Sequence, residues 1–340
     1  MNKYFYIKRT KMIDEAAQFH RPTPLYISVL IFLLVYYASS FAAALIQIFP
    51  MLGVMFSNPA FDAVLESDAP LEAFMSFMEN FSYPGWFMIV DLVSRFGIIV
   101  VCVLYCKTFE KRSIRSMGIR KGNALPEYLV GLVIGFALFF LTFFFAWLFG
   151  GVEISVNPEG VSWILILYFL GFVIQGAAEE FLVRGYFMVS VARDYKVFFA
   201  IITSSLVFAF IHIFNTGMTV IAFLNIFLVG VFFAIYVFKR GNLWGACAIH
   251  TMWNFAQGNV FGISVSGLEL MPSIFTVTNN EGTAMWLLNG DVFGLEGSLC
   301  CTFVMLGAIA LALLLKTKRT EISYMEQGYI PSPKKHLWET

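Results

Sequence analysis

The sequence predicts an all-α, polytopic membrane protein, a bundle of about eight transmembrane helices with both termini in the cytoplasm. Three observations lead to this fold class. Hydrophobic residues make up 59% of the 340 residues and charged residues only 13%, whereas soluble domains carry roughly 25% charged residues. Long apolar runs recur along the chain, and its basic residues fall in alternate connections between those runs.

The apolar runs define the predicted spans. Crossing a bilayer's hydrocarbon core, about 30 Å thick, takes roughly 20 helical residues. Runs near that length lie at 25–49, 84–106, 127–150, 161–189, 197–214, 218–238, 243–263 and 299–315. We therefore expect one membrane domain, 25–315, whose motifs lie within 175–258, between cytoplasmic tails 1–24 and 316–340.

The basic residues support this topology independently, because cytoplasmic loops collect Lys and Arg. All of the 22 basic residues except Arg95 fall in the two tails, in connections on the same side of the membrane or, for Arg184, near the cytoplasmic end of the fourth span. The connections assigned to the outside, 50–83, 151–160, 215–217 and 264–298, contain no Lys or Arg. An odd number of spans would break this alternation, so the pattern favours two cytoplasmic termini.

Other features exclude several classes of protein. The five cysteines lie in or beside spans and show neither a disulfide framework nor zinc-ligand spacing. We expect the lipid bilayer as a partner and no nucleic acid. Asp91 and Arg95, in the second span, are four residues apart on one helix face and are predicted to pair.

The first polar cluster inside a predicted span contains Glu179, Glu180 and Arg184. Charged residues inside a span are costly and usually functional. Glu180 and Arg184 are four residues apart and share a helix face, whereas Glu179 points about 100° away. Glu179 is thus the freer carboxylate and a candidate general base. A charge network that only holds the spans together is the alternative for this cluster alone.

Two further clusters each place polar residues on one helix face. Phe208 and His212 lie four residues apart in the fifth predicted span, and His250 and Asn254 have the same spacing in the seventh. A His and an amide on one face can donate two hydrogen bonds to one oxygen, as an oxyanion site requires. Taken singly, each cluster could also be an interhelical packing contact.

Together the three clusters resemble the motifs of the CPBP (CAAX protease and bacteriocin-processing, also called Abi) intramembrane endopeptidases. The family pattern is Glu-Glu-x-x-x-Arg, Phe-x-x-x-His and His-x-x-x-Asn, on separate spans of an eight-helix bundle. The sequence carries it in that order, as Glu179-Glu180…Arg184, Phe208…His212 and His250…Asn254.

The resemblance implies a site and a reaction. Glu179 would activate the attacking water together with His212, and His250 and Asn254 would stabilise the tetrahedral oxyanion. Glu180, Arg184 and Phe208 would support these four catalytic residues. The implied substrate is a peptide or lipidated peptide, such as a lipidated C-terminal box, a signalling peptide or a bacteriocin leader.

Three alternatives stay open at this stage. One is a zinc-dependent version of the peptidase, with His212, His250 and Glu179 as ligands. We favour a metal-free site without cofactors because the sequence has no His-Glu-x-x-His helix and Asn254 is a poor zinc ligand. The others are a non-catalytic scaffold or bacteriocin self-immunity protein, and a transporter, against which the lack of inverted repeats counts.

The location of the site follows from the predicted topology. Counted from the basic flanks at 1.5 Å per residue, Glu179, His250 and Asn254 lie nearer the cytoplasmic face than His212 does. A tilted or late-starting fifth span would have to bring His212 to their level. We expect the plasma membrane of a bacterium, with the active-site cavity facing the cytoplasm.

Overall fold

The structure, a computed structural model, describes residues 7–18, 22–81, 84–158, 160–270, 272–317 and 322–323. Much of the predicted tails 1–24 and 316–340 lies outside these residues. The helices are α1 (Lys11–Ala17), α2 (Leu25–Phe56), α3 (Pro59–Leu65), α4 (Pro70–Asn80), α5 (Phe87–Ser94), α6 (Phe96–Thr108), α7 (Ala124–Leu148), α8 (Ile164–Glu180), α9 (Val189–Asp194), α10 (Val197–Phe210), α11 (Val220–Arg240), α12 (Trp244–Phe255), α13 (Trp286–Asn289) and α14 (Leu299–Leu314).

Five helical stretches in the described residues are long and apolar enough to cross a membrane. They are α2, Phe87–Thr108 (α5 and α6), α7, Ile164–Asp194 (α8 to α9) and α11. Helices α10 and α14 are apolar but shorter. These helices make the chain a mostly helical integral membrane protein. The count of eight spans and the side of each terminus stay predictions.

The two long connections predicted to lie outside are ordered in different ways. Residues 50–81 of the first connection extend α2 beyond Pro50 and then form α3 and α4, joined by a small apolar cluster around Phe61 and Phe77. The connection 264–298 contributes β2 (Phe275–Asn279), which pairs antiparallel with β1 (Val152–Val156). Neither strand could be foreseen from the sequence alone, because each depends on the other.

Small residues let the motif helices approach closely. A Cβ at Gly135 of α7 would lie 2.5 Å from the carbonyl oxygen of Ile249 in α12. A Cβ at Gly176 of α8 would lie 3.0 Å from the backbone nitrogen of Thr251. Small residues at helix crossings are typical of membrane proteins, where close packing replaces the hydrophobic effect. The contacts fix α12 between α7 and α8, so His250 faces Glu180.

A π-helical segment directly follows each of the motif helices α8 and α12. Phe181–Met188 continues α8 immediately after Glu180, and Ala256–Val260 continues α12 after Phe255. π-turns are rare and often occur at functional sites, because the extra residue per turn redirects the side chains. Both motifs therefore sit at a change of helix geometry.

Helix α10 ends earlier than the predicted span 197–214. It stops at Phe210, and His212 lies in the turn that follows, with its amide donating to the carbonyl of Ala209 at 3.2 Å. The chain continues beyond Phe210 as a series of turns that includes Asn215 and Gly217, whose φ is +75°. Fourteen residues cover only about 21 Å. The early end of α10 places His212 beside Glu179.

Cysteine labelling tests the predicted topology. Pro70→Cys, Ser155→Cys and Asn280→Cys, introduced one at a time, should each react with a membrane-impermeant maleimide from outside the cell. The native cysteines of the described residues are all buried, so their background should be low. Arg115→Cys, at an exposed position in the predicted cytoplasmic loop, should react only after permeabilisation. Cytoplasmic labelling at two of the three outer positions would contradict the topology.

Candidate active site

One cavity of about 230 Å³ is lined by all four residues predicted to be catalytic, Glu179, His212, His250 and Asn254. Since each water takes up about 30 Å³ in the liquid, the cavity has room for several waters or a short peptide segment. Its wall combines residues from α8, α12, the turn after α10 and the α5–α6 junction. The three sequence motifs therefore meet in space.

The Glu179 carboxylate is held on one side only. Its Oε1 accepts a hydrogen bond from Nε2 of Gln175 at 2.5 Å. Its Oε2 is buried and has no hydrogen-bond partner in the described part of the chain. Oε2 lies 3.8 Å from Nε2 of His212 and 3.7 Å from Nε2 of His250. These separations are too long for direct hydrogen bonds but suit a bridging water.

The orientation of His212 is fixed by the last turn of α10, which precedes it. Its Nδ1 lies 2.7 Å from the carbonyl oxygen of Phe208, four residues earlier. A carbonyl only accepts, so Nδ1 must donate the proton. In the neutral ring, Nε2 is then the acceptor, and it is Nε2 that faces Glu179. His212 is therefore arranged to accept a hydrogen bond from a molecule in the cavity.

His250 is oriented by Glu180. Its Nδ1 donates to Oε1 of Glu180 at 3.1 Å, and the same oxygen accepts from Nη1 of Arg184 at 2.9 Å. The side chains of Glu180 and Arg184 are 0% exposed. The i, i+4 pair foreseen from the sequence is present, and it also touches the catalytic candidates. Glu180 thus links the buried pair to His250.

Aromatic rings pack against Arg184, His212 and His250. The Arg184 guanidinium carbon lies 4.1 Å from the centre of the Phe208 ring, which stands edge-on to the imidazole of His212. Phe233 of α11 stacks on His250 with ring centres 5.5 Å apart. Such contacts orient the rings and partly stabilise the buried cation. Phe233 is one of 39 phenylalanines, so composition and spacing offered no signal for it.

Asn254 is connected to Glu179 through a residue that the motif analysis missed. Its Nδ2 donates to Oε1 of Gln175 at 3.1 Å, while Gln175 donates to Glu179. Gln175 precedes Glu179 by four residues in the same helix. The i, i+4 spacing that identified the other pairs would have found it. The chain of amides fixes the carboxylate plane of Glu179 and the side chain of Asn254 together.

Glu296 brings the connection 264–298 into the cavity wall. Its Oε1 accepts from Nε1 of Trp253 at 3.2 Å, and its Oε2 accepts from the backbone nitrogen and Oγ of Ser266 at 2.8 and 2.7 Å. Burial raises the pKa of this carboxyl group. Glu296 thus fixes the side chain of Trp253, the residue before Asn254. The cavity extends to a segment predicted to lie outside, and its opening toward the cytoplasm stays a prediction.

The three candidate zinc ligands lie somewhat farther apart than the ligands of a bound zinc ion. Ligands at 2.0–2.1 Å in a tetrahedron lie about 3.3 Å apart, whereas Glu179 Oε2 lies 3.7 and 3.8 Å from the two imidazole nitrogens. The described residues contain no group of three or more His, Cys, Asp or Glu arranged to hold a metal ion. The choice between a metal-free site and a zinc site stays a prediction.

Comparison with known proteins agrees with the motif analysis. Residues 161–256 match the family model described as Type II CAAX prenyl endopeptidase Rce1-like. This segment contains all three motifs, confirms the predicted resemblance to the CAAX proteases and implies that the chain is a peptidase. No curated protein and no solved structure matches the chain.

Proposed function

We propose that this membrane peptidase of the CAAX-protease type hydrolyses its substrate with a water held between Glu179, His212 and His250. The supporting observation is the buried Oε2 of Glu179, which has no hydrogen-bond partner among the described residues and faces two imidazole nitrogens. An unsatisfied buried carboxylate oxygen is costly. A bound water satisfies it and is the nucleophile that hydrolysis needs.

The proposed reaction needs one base and two hydrogen-bond donors. Glu179 takes a proton as the water oxygen attacks the scissile carbonyl carbon, and Nε2 of His212 accepts a hydrogen bond from the same water. The carbonyl oxygen becomes an oxyanion, which Asn254 Nδ2 and His250 Nε2 stabilise by donation. The carbon–nitrogen bond then breaks, and Glu179 returns its proton to the leaving amine.

Glu180 and Arg184 act through His250. To donate from Nε2 while Nδ1 donates to Glu180, His250 must carry two protons. The carboxylates of Glu180 and Glu179, one beside each ring nitrogen, are the charges that stabilise such an imidazolium. Arg184 in turn pairs with Glu180 and holds its carboxylate in position. The supporting pair therefore orients an oxyanion donor.

The proposed substrate is a lipidated peptide with a C-terminal box, in keeping with the matched family description. The purified protein, reconstituted into lipid vesicles, should release a short C-terminal fragment from a prenylated peptide ending in Cys-aliphatic-aliphatic-X, as detected by mass spectrometry. The same peptide without the lipid serves as the control for lipid dependence. If both the prenylated peptide and the peptide without the lipid remained intact after prolonged incubation, the proposal would be contradicted.

A metal-free mechanism predicts little response to chelation. Because the site works through donors and a carboxylate base, purified protein should hold far less than one equivalent of zinc and keep its activity in strong chelator. Metal content measured by mass spectrometry, with hydrolysis measured before and after chelation, checks this. Stoichiometric zinc that is lost together with activity, and restores activity when added back, would show a zinc enzyme instead.

A further inference from the structure

Arg95 is the one Lys or Arg among the described residues that line the active-site cavity. It joins α5 to α6 within a candidate span, and its side chain is 38% exposed at the cavity wall. It also interacts electrostatically with Glu179. An arginine in the middle of a span is expensive and marks a functional position by default. None of the three sequence motifs includes it.

The guanidinium of Arg95 is anchored on one side and keeps a donor without a hydrogen-bond partner among the described residues. Its Nη2 donates to both carboxylate oxygens of Asp91, at 3.0 and 2.9 Å. Asp91 is itself held by Nε2 of Gln47 at 2.7 Å. The Nε of Arg95 is buried and has no hydrogen-bond partner in the part of the chain that the structure describes. Asp91 thus positions the guanidinium without using all of its donors.

A guanidinium with unused donors suits one class of ligand. Its planar array of N–H groups matches a carboxylate and binds it with charge-assisted hydrogen bonds. A peptide bound in this cavity carries one obligatory carboxylate, at its C-terminus. Three residues span roughly 10 Å when extended, so a short C-terminal segment can reach from a scissile bond beside Glu179 to a neighbouring cation.

We propose that Arg95 binds the free C-terminal carboxylate of the substrate, so the enzyme selects peptides that end a few residues beyond the scissile bond. The inference rests on the proposed function and adds a specificity determinant to it. The negative charge of Asp91 keeps an empty site neutral, and Glu179 is screened by two imidazoles. When the substrate binds, its C-terminal carboxylate accepts hydrogen bonds from the Arg95 donors that Asp91 does not use.

The test uses two peptides that differ only in a C-terminal carboxylate or carboxamide. The wild-type protein should prefer the free acid in kcat/KM by about 10- to 100-fold, the range expected for hydrogen bonds to a charged group. In the Asp91→Asn/Arg95→Gln variant, which leaves no stranded charge, the preference should fall to about one. The Glu127→Gln/Arg240→Gln variant is the matched control. It also removes both partners of an ion pair, whose atoms lie 2.6 Å apart, and neither residue lines the cavity. It should keep the preference.

Binding of the same two peptides to the Glu179→Gln variant gives an answer that does not depend on turnover. Fluorescence anisotropy should show tighter binding of the acid, and the Asp91→Asn/Arg95→Gln substitutions should abolish the difference. Equal binding and equal cleavage of acid and amide by proteins that retain Arg95 would overturn the inference while leaving the peptidase intact. If the acid bound preferentially but the wild-type protein cleaved neither peptide, the result would support the carboxylate site and contradict the proposed function.

Discussion

Glu179→Gln is expected to lower peptide hydrolysis by roughly 10²–10⁴-fold, the contribution typical of a positioned general base. The amide has nearly the shape of the carboxylate but cannot take a proton from water at neutral pH. Its oxygen can still accept from Gln175, so the local structure should persist. Initial rates of reconstituted protein at saturating peptide, together with its yield and melting temperature, measure both parts of this expectation.

The matched control for this variant is Glu79→Gln, which changes an exposed glutamate in α4. It should hydrolyse the peptide at the wild-type rate, which separates loss of the base from a general effect of removing negative charge. Full activity of Glu179→Gln would show that the assigned base is wrong. Loss of folded protein in that variant would instead mean that Glu179 is mainly structural.

Glu180→Ala is expected to cost about 3–5 kcal/mol in the free energy of unfolding, because it leaves a buried cation without its counter-ion. The Arg184 side chain is 0% exposed and Glu180 is its ion-pair partner. We expect a marked loss of membrane-inserted protein and a lower melting temperature in detergent. The yield of purified protein and thermal unfolding followed by tryptophan fluorescence check this result.

Removing both partners distinguishes a stranded charge from a simple cavity. The variant Glu180→Ala/Arg184→Ala loses more side-chain volume but buries no unpaired cation, so it should recover part of the lost stability. Equal or lower stability of this double variant would mean that packing, rather than the ion pair, accounts for the effect. Wild-type stability of Glu180→Ala alone would contradict the assigned role of the pair.

Local spacing in the sequence is sufficient to predict much of the site. The Glu180–Arg184 and Asp91–Arg95 pairs are each four residues apart, and the structure contains both. Helix geometry alone brings such residues together, so no knowledge of the fold is needed. The convergence of the motifs in one cavity could be expected only through the family resemblance, because it depends on how separate helices pack.

Residues that contact the site from elements outside the three motifs cannot be identified from local sequence spacing. Glu296 lies more than 40 positions beyond the last motif, in a segment whose sequence gives no element. Phe233 is one aromatic residue in an apolar helix. Both contact the site through tertiary packing, which periodicity does not encode. The stop of α10 at Phe210 has a different basis: the apolar run continues past it, so hydropathy alone predicts a longer span.

Comparison of peptides in native membranes tests the central claim most directly. Membranes containing the wild-type protein or the Glu179→Gln variant are analysed by mass spectrometry of peptide C-termini. We predict a set of C-terminally truncated products that is present with the wild type and replaced by the intact precursors with the variant. Identical sets of products and precursors in the two membranes would contradict hydrolysis by a Glu179-activated water.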